Sequence, residues 1–273
     1  MQLADFKNID ENYRNLVRIE SVSKHFGGIR ALTDVTMDIR EGEIRGLIGP
    51  NGAGKTTLFN ILSGNYTSDR GRILFDGGDI NSLSADQRVR RGIARTFQNI
   101  RLFKSLSVLD NVKLGCFSRS KVGWLKAVFA PGVCRKEEAL LENESKELLE
   151  TLELASYADE PATALSYGDQ RRLEIARALA SRPRLLLLDE PAAGLNESEV
   201  KKLGRLIVQI RSSGLTIVLV EHDMNLLMSI SERVTVLAHG RKIAEGTPAQ
   251  IQRNEEVIEE YLGKNHAGTR YEI

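Results

Sequence analysis

Apolar and polar positions repeat with two different periods along this chain. From about 17 to 46, "LVRIES" and "VTMDIREGEIRG" place Val35, Met37 and Ile39 on one face. That period of two predicts antiparallel strands. "GRILFDGGDI" repeats the pattern, with "DGGD" as its turn. The later runs "RLLLLDE", "TIVLVEH" and "RVTVLAHG" are almost continuously apolar. Strands buried on both faces read this way, and helical stretches such as "SEVKKLGRLIVQIRSS" lie between them. From about 99 to 164 the character changes. In "RKEEALLENESKELLETLEL", Leu140, Leu141, Leu148, Leu149 and Leu152 fit one helical face. The expected fold is α/β: a parallel core sheet covered on both faces, an N-terminal antiparallel β subdomain and a helical insert. Residues 1–98 carry the antiparallel strands and the first part of the core. Residues 99–164 form the insert, 165–263 the rest of the core, and 264–273 a polar tail. Residues 1–15 read as a loose leader.

Composition changes this picture little. The chain has 273 residues, 41% hydrophobic and 27% charged, with a net charge of +1. That balance gives no extended basic surface, so nucleic acid is not expected as a partner. The apolar runs are strand-sized, so no segment is expected to span a bilayer. The polar, acidic start "MQLADFKNIDENYRN" does not read as a secretory signal. Cys116 and Cys134 lack metal-ligand spacing, and two cysteines without a secretion signal suit a reducing compartment.

The chemistry begins at "GPNGAGKT", which has the spacing G-x-x-x-x-G-K-[ST] between an apolar strand and a helix. In Gly49, Pro50, Asn51, Gly52, Ala53 and Gly54 the glycines let the backbone wrap a phosphate, with successive N–H groups and the helix dipole pointing at it. Lys55 should reach the β- and γ-phosphates of ATP. Thr56, followed by Thr57, should place its hydroxyl on Mg2+. The fold is therefore that of a P-loop NTPase. "LLLLDEP" supplies the other half: polar residues begin where a buried strand ends, and ligands of open α/β sheets sit at that edge. Asp189 can hold Mg2+ through water, and Glu190 can act as general base toward the attacking water.

"LSYGDQRR" then presents a second anion site, a helix start with Ser166 and Gly168. Ser166 there is equally a simple N-cap. Together these motifs resemble the ATP-binding subunit of ABC transporters, whose signature "LSGGQ" is similar to "LSYGD". The resemblance runs from about Leu16 to Gly263 with the motifs in the family's order. It implies a head-to-tail pair in which Ser166 and Gly168 of one subunit address the γ-phosphate on the other's P-loop. It also implies that Gln98 in "RTFQNIRLF" touches Mg2+ and water, and that His222 in "LVEHD" reaches the γ-phosphate and orients Glu190. Phe26 in "SKHFGG" falls where the family stacks an aromatic on adenine, with strand packing as the alternative. "AAGLN" matches the loop that crosses the dimer interface. Three positions depart from the commonest pattern: Tyr167 for glycine, Asp169 for glutamine and Asn196 for aspartate. Asp169 is expected to face away from the phosphate, in the first turn where negative charge is favourable.

Within the family, "RTFQNIRLFKSLSVLDNVKLG", "EPAAGLN" and "HGRKIAEGTPAQI" are similar to ATP-binding subunits of branched-chain amino-acid importers. The implied partners are transmembrane permease subunits, a second ATP-binding subunit that is homologous or identical to this chain and, indirectly, a solute-binding protein. The implied location is the cytoplasmic face of the membrane. The segment from Asn99 to about Leu114 is expected to help form a groove for a permease helix. Trp124 and Phe129 either touch the permease or pack the insert. A motor for lipid or other solutes, a non-transport ABC ATPase and a non-catalytic nucleotide sensor are the competing readings.

Overall fold

The computed structural model describes residues 14–119 and 131–262. The expectations for the leader before Arg14, for Trp124 and Phe129, and for the tail 264–273 lie outside the described residues, as does the Cys134 side chain. Strands β1 (Asn15–Phe26) and β2 (Ile29–Arg40) lead to β3 (Ile44–Ile48) and helix α1 (Lys55–Leu62). Strands β4 (Arg70–Phe75) and β5 (Gly78–Asp79), helix α2 (Ala85–Arg90) and strand β6 (Ile93–Arg95) follow. Then come α3 (Val108–Cys116), α4 (Pro131–Thr151), α5 (Tyr167–Leu179), β7 (Leu185–Asp189), α6 (Glu197–Ser212) and β8 (Thr216–Val220). The described chain closes with α7 (Met224–Ile230), β9 (Arg233–Ala238), β10 (Arg241–Gly246), α8 (Pro248–Gln252) and α9 (Glu255–Leu262).

Two sheets form. One is four-stranded in the order β2-β1-β4-β5, and the other six-stranded in the order β10-β9-β3-β8-β7-β6. The first is antiparallel throughout, and in the second only β10 runs antiparallel. The period-two segment thus divides: β1 and β2 pair antiparallel, while β3 leaves them to sit between β8 and β9. Every residue of β3, β7 and β8 is buried. Side chains alternate across the core sheet. Leu185 and Leu187 join one apolar cluster with Val17, Ile19, Val35 and Ile39 of the antiparallel sheet and Leu58 and Phe59 of α1. Leu186 and Leu188 face the opposite cluster, with Val112, Leu149, Leu152, Leu173 and Ile207. The core sheet is therefore covered by a second sheet on one side and by helices on the other. Truncating a residue such as Leu188 to alanine should cost about 2–5 kcal/mol.

The helical segment shares the second cluster and has no separate core. Leu149 and Leu152 are fully buried and Leu141 and Leu148 pack against them, but Leu140 is 57% exposed. The expected five-leucine face is corrected to four, because α4 needs only a narrow stripe where it meets α3. Cys116 is a buried free thiol, 3.7 Å from the Ser145 hydroxyl. The "DGGD" turn is present: Asp76 and Gly77 both take positive φ between β4 and β5.

Two buried arginines hold the strand and the helix that the phosphate loop joins. Arg88 donates to the carbonyls of Ile61 and Leu62, the latter at 3.1 Å, capping the C-terminus of α1 with a cation. Arg45, fully buried on β3, meets Glu43 at 2.7 Å and Glu245 at 2.6 Å and donates to the Thr235 hydroxyl at 3.1 Å. It ties the central strand to β9 and β10 with each charge compensated.

Candidate active site

The loop from Gly49 to Gly54 leaves β3 at its carboxyl end and enters α1. Two of its glycines are sterically required. A Cβ on Gly49 would lie 2.2 Å from the Leu237 carbonyl oxygen. Gly54 has φ +103°, and its Cβ would lie 2.7 Å from the Ala31 carbonyl oxygen. The turn closes with Ala53 N–H donating to Pro50 at 3.1 Å. Asn51, Gly52 and Thr56 are exposed, Thr57 is half-buried and Lys55 is buried. The Lys55 ammonium folds back on the loop, donating to the carbonyls of Gly49 at 2.5 Å and Pro50 at 3.1 Å. Burial lowers its pKa, and the charges of Glu190 and Asp189 pull in the opposite direction.

Asp189 ends β7 and pairs in register with Val220. Its carboxylate is buried and accepts from the Arg95 guanidinium at 2.8 Å. Glu190 comes next with φ +48°, a left-handed conformation that costs roughly 1–2 kcal/mol for a residue with a Cβ. Its N–H bonds the Val220 carbonyl at 2.9 Å. The turn aims the carboxylate between two distant residues. Gln98 Nε2 donates to Oε2 at 2.8 Å, and His222 Nε2 lies 3.0 Å from Oε1. The three candidate catalytic side chains, separated by up to 124 positions in sequence, thus meet at one carboxylate.

Charged residues that the sequence reading passed over hold this arrangement. Arg171 on α5 donates to the carbonyls of Phe97 at 2.8 Å and Gln98 at 2.5 Å. Its ion-pair partner Glu174, at 3.0 Å, also accepts the Phe97 N–H at 3.3 Å. Burial pushes the Glu174 carboxyl up, and Arg171 opposes that shift. The helix following Ser166 therefore grips the backbone that carries Gln98. Glu221 performs the same service for His222: it accepts from the N–H groups of Ala192 at 2.6 Å and His222 at 3.1 Å. Its pKa is raised by burial and partly restored by those backbone donors. One signal was present in the sequence: Glu221 interrupts the apolar run of β8 where Asp189 and Glu190 interrupt that of β7. For Arg95, Arg171 and Glu174 no local pattern marks burial.

Ser166 is an N-cap. Its Oγ accepts from Asp169 N–H at 3.2 Å and donates to the Asp169 carboxylate at 2.8 Å. Asp169 also pairs with Arg172. Ser166 and Tyr167 are exposed, and Gly168 is buried against Glu199, whose Oε1 would lie 2.9 Å from an added Cβ. Asn196 N-caps α6, accepting from Ser198 and Glu199 at 3.0 and 3.1 Å. Among the described residues no hydrogen bond joins Ser166 or Gly168 to the phosphate loop. Phe26 is 41% exposed, so strand packing alone does not account for it. Its ring meets that of Tyr66 edge-on, with centroids 5.2 Å apart, and the Lys24 ammonium lies 5.4 Å from its centroid.

A P-loop at the edge of a mostly parallel sheet, an Asp–Glu pair ending the second strand over, and a helical segment packed beside them define an ABC ATPase. The ABC transporter family model matches residues 32–193. The chain belongs to that family and is its ATP-hydrolysing, nucleotide-binding subunit. A second model, described as branched-chain amino acid ATP-binding cassette transporter, matches residues 241–267.

Among individual relatives, the high-affinity branched-chain amino acid transport ATP-binding protein BraF of Pseudomonas aeruginosa is 41% identical over 252 residues, 92% of this chain and 99% of BraF. LivG of Escherichia coli, of the same description, is 41% identical over 250 residues, 91% of this chain and 98% of LivG. The lipopolysaccharide export system ATP-binding protein LptB of Escherichia coli is 36% identical over 246 residues, 90% of this chain and 96% of LptB. A nucleotide-free ATP-binding cassette from an ABC transporter superposes with a TM-score of 0.80 at 30% identity, covering 92% of this chain and all of that one. A dimeric post-hydrolysis cassette bound to ADP and Pi superposes at 0.70 and 29% identity, covering 85% of this chain and 98% of that one. No helix among the described residues is long and apolar enough to cross a membrane.

Proposed function

We propose that this chain is the ATP-binding motor of a branched-chain amino-acid importer, working in a head-to-tail pair with a second ATP-binding subunit beneath two permease subunits. The observation that carries the cargo class is the match of residues 241–267 to the branched-chain amino acid cassette model, outside the segment shared by ABC transporters at large. The relatives BraF and LivG support it over nearly the whole chain. LptB favours a lipid-exporting motor as the second reading, at lower identity.

In this reading Lys55 gives up its carbonyl partners for the β- and γ-phosphates of ATP, and the loop from Gly49 to Gly54 supplies N–H donors. The residues present suit Mg2+: Thr56 offers an exposed hydroxyl, and Asp189 has one oxygen bonded to Arg95 and the other outside that bond. The metal would draw charge from the terminal phosphates, with Gln98 as a third oxygen donor. Glu190 takes a proton from the water that attacks the γ-phosphorus as the bond to the β–γ bridging oxygen breaks and ADP leaves, and His222 steadies the Glu190 carboxylate through its other oxygen. Phe26, with Tyr66 at its edge, faces the adenine. Ser166 and Gly168 serve the partner's nucleotide, so Ser166 redirects its proton from Asp169 to the γ-phosphate when the pair closes. The exposed Phe103, stacked beneath the Arg177 guanidinium at 5.9 Å, is an anchor for a short permease helix. Closure does work only through the difference in ATP affinity between closed and open pairs.

The test is ATPase activity of the complex co-purified with its membrane partners and placed in vesicles with the solute-binding protein. Leucine, isoleucine and valine should stimulate hydrolysis and lipids should not. Stimulation by lipid alone would replace this reading with the second one.

A further inference from the structure

Arg95 lies on β6, and its guanidinium sits between Asp189 and the face of α1 that carries Asn60 and Ser63; nothing above gives it a role. Its two Nη atoms make three hydrogen bonds. Nη2 donates to Asp189 Oδ2 at 2.8 Å, and Nη1 donates to Asn60 Oδ1 at 2.6 Å and Ser63 Oγ at 3.1 Å. The rings of Phe59 and Phe97 flank it, with centroids 5.7 and 5.4 Å from Cζ. Both charged side chains are more than nine-tenths buried. Thr56, Asn60 and Ser63 follow one another at intervals of four and three, so they share a face of α1 and its cap. The guanidinium therefore spans the gap between the helix that carries Thr56 and the strand that ends in Asp189.

We propose that Arg95 is a positioning residue that fixes the spacing and orientation of Thr56 and Asp189 for Mg2+. The proposal rests on the reading of those two residues as the metal's protein partners. Arg95 holds Oδ2 and so presents Oδ1; among the described residues the Asp189 carboxylate has no other hydrogen bond. The same contact compensates a buried carboxylate that would otherwise be costly to ionise. Three polar anchors and two flanking rings pin the guanidinium, so it stays when the metal arrives and does not act as a competitor for Asp189. Groups that orient metal ligands from behind typically control affinity by 10–100-fold.

The test uses the full chain, a fluorescent non-hydrolysable ATP analogue and a Mg2+ titration, with an EDTA arm for metal-free nucleotide affinity. Arg95→Gln should raise the half-saturating Mg2+ concentration about tenfold while leaving affinity in EDTA nearly unchanged. Arg95→Lys restores charge without the planar fork and should rescue only part of the loss. Asn60→Ala keeps the Arg95–Asp189 pair and removes the shorter of the two ties to α1, leaving the one to Ser63 at its cap. It should shift the Mg2+ requirement in the same direction, and it carries the test if Arg95→Gln fails to fold by circular dichroism. Asp189→Asn separates the two layers of the argument. If it raises the Mg2+ requirement while Arg95→Gln and Asn60→Ala leave it unchanged, the positioning role is wrong and the metal assignment stands. If Asp189→Asn has no effect, the metal assignment itself fails. A lower Mg2+ requirement in Arg95→Gln would make Arg95 a competitor of the metal, and an equal loss in EDTA would make it merely structural; either result overturns the proposal.

Discussion

The two ends of the candidate site are built differently. Around Glu190 the site's side chains hold one another: Gln98 and His222, themselves exposed, meet the carboxylate, while behind them buried Arg171 and Glu174 hold the backbone of Phe97 and Gln98 and buried Glu221 holds that of His222. At Ser166 and Phe26 the side chains are exposed, and their contacts are local: a helix cap in one case, an edge-on ring in the other. Buried polar networks fix geometry because an unpaired member is expensive. Exposed, locally satisfied groups can exchange partners at little cost. The contrast fits a reaction centre assembled by one chain and a recognition surface that waits for a second molecule.

The largest effect should come from the assembled end. Glu190→Gln should retain ATP binding and lose roughly 10²–10⁴-fold in hydrolysis, measured as phosphate release. Normal turnover would remove Glu190 as the base. Lys55→Ala should weaken nucleotide binding by roughly 10–100-fold, the worth of one charge-assisted bond, as read by equilibrium fluorescence; unchanged affinity would contradict the cradle.

The exposed end should give smaller and more selective effects. Ser166→Ala should cost about 1 kcal/mol of stability as a lost N-cap. It should leave nucleotide binding by the isolated chain intact while slowing hydrolysis in the pair. A selective loss of binding by the isolated chain would place Ser166 at its own nucleotide. Phe26→Ala should lower ATP affinity about tenfold through lost base stacking, with little change once the base is removed and only triphosphate is offered.

The smallest effect is a pH dependence. Burial raises the Glu221 carboxyl, so the folded chain holds that proton more tightly than the unfolded one. Its contribution to stability is greatest below the ordinary carboxylate pKa of about 4.3 and is lost as pH rises through the folded value. Glu221→Gln should lack that decline. Urea unfolding from acid to neutral pH should therefore show the wild-type advantage shrinking as pH rises; a constant difference would deny the shift.

The same contrast explains what could be read from sequence. The phosphate loop, the Asp–Glu pair and the serine-capped helix announce themselves because local spacing dictates local backbone. Five-residue apolar strands such as β7 and β8 are equally plain. Strand β6 has only three residues, too few to show a period, and its place beside β7 depends on pairing across 92 positions. Arg95, Arg171 and Glu174 were invisible for a related reason. A charged residue in an ordinary stretch reads as surface, and only tertiary packing shows that these are buried and paired. Leu140 erred the other way, apolar yet turned to solvent, because helical period fixes a face but not its width.

The central claim is that each working site takes its lysine from one chain and its serine from another. Mixing two inactive variants tests it directly. Lys55→Ala keeps an intact Ser166, and Ser166→Arg keeps an intact phosphate loop, so a mixed pair contains one complete composite site. ATPase activity of the mixture well above the sum of the two separate proteins is the predicted result. A mixture no more active than that sum would mean that one chain supplies both groups to its own nucleotide, and the account would be wrong.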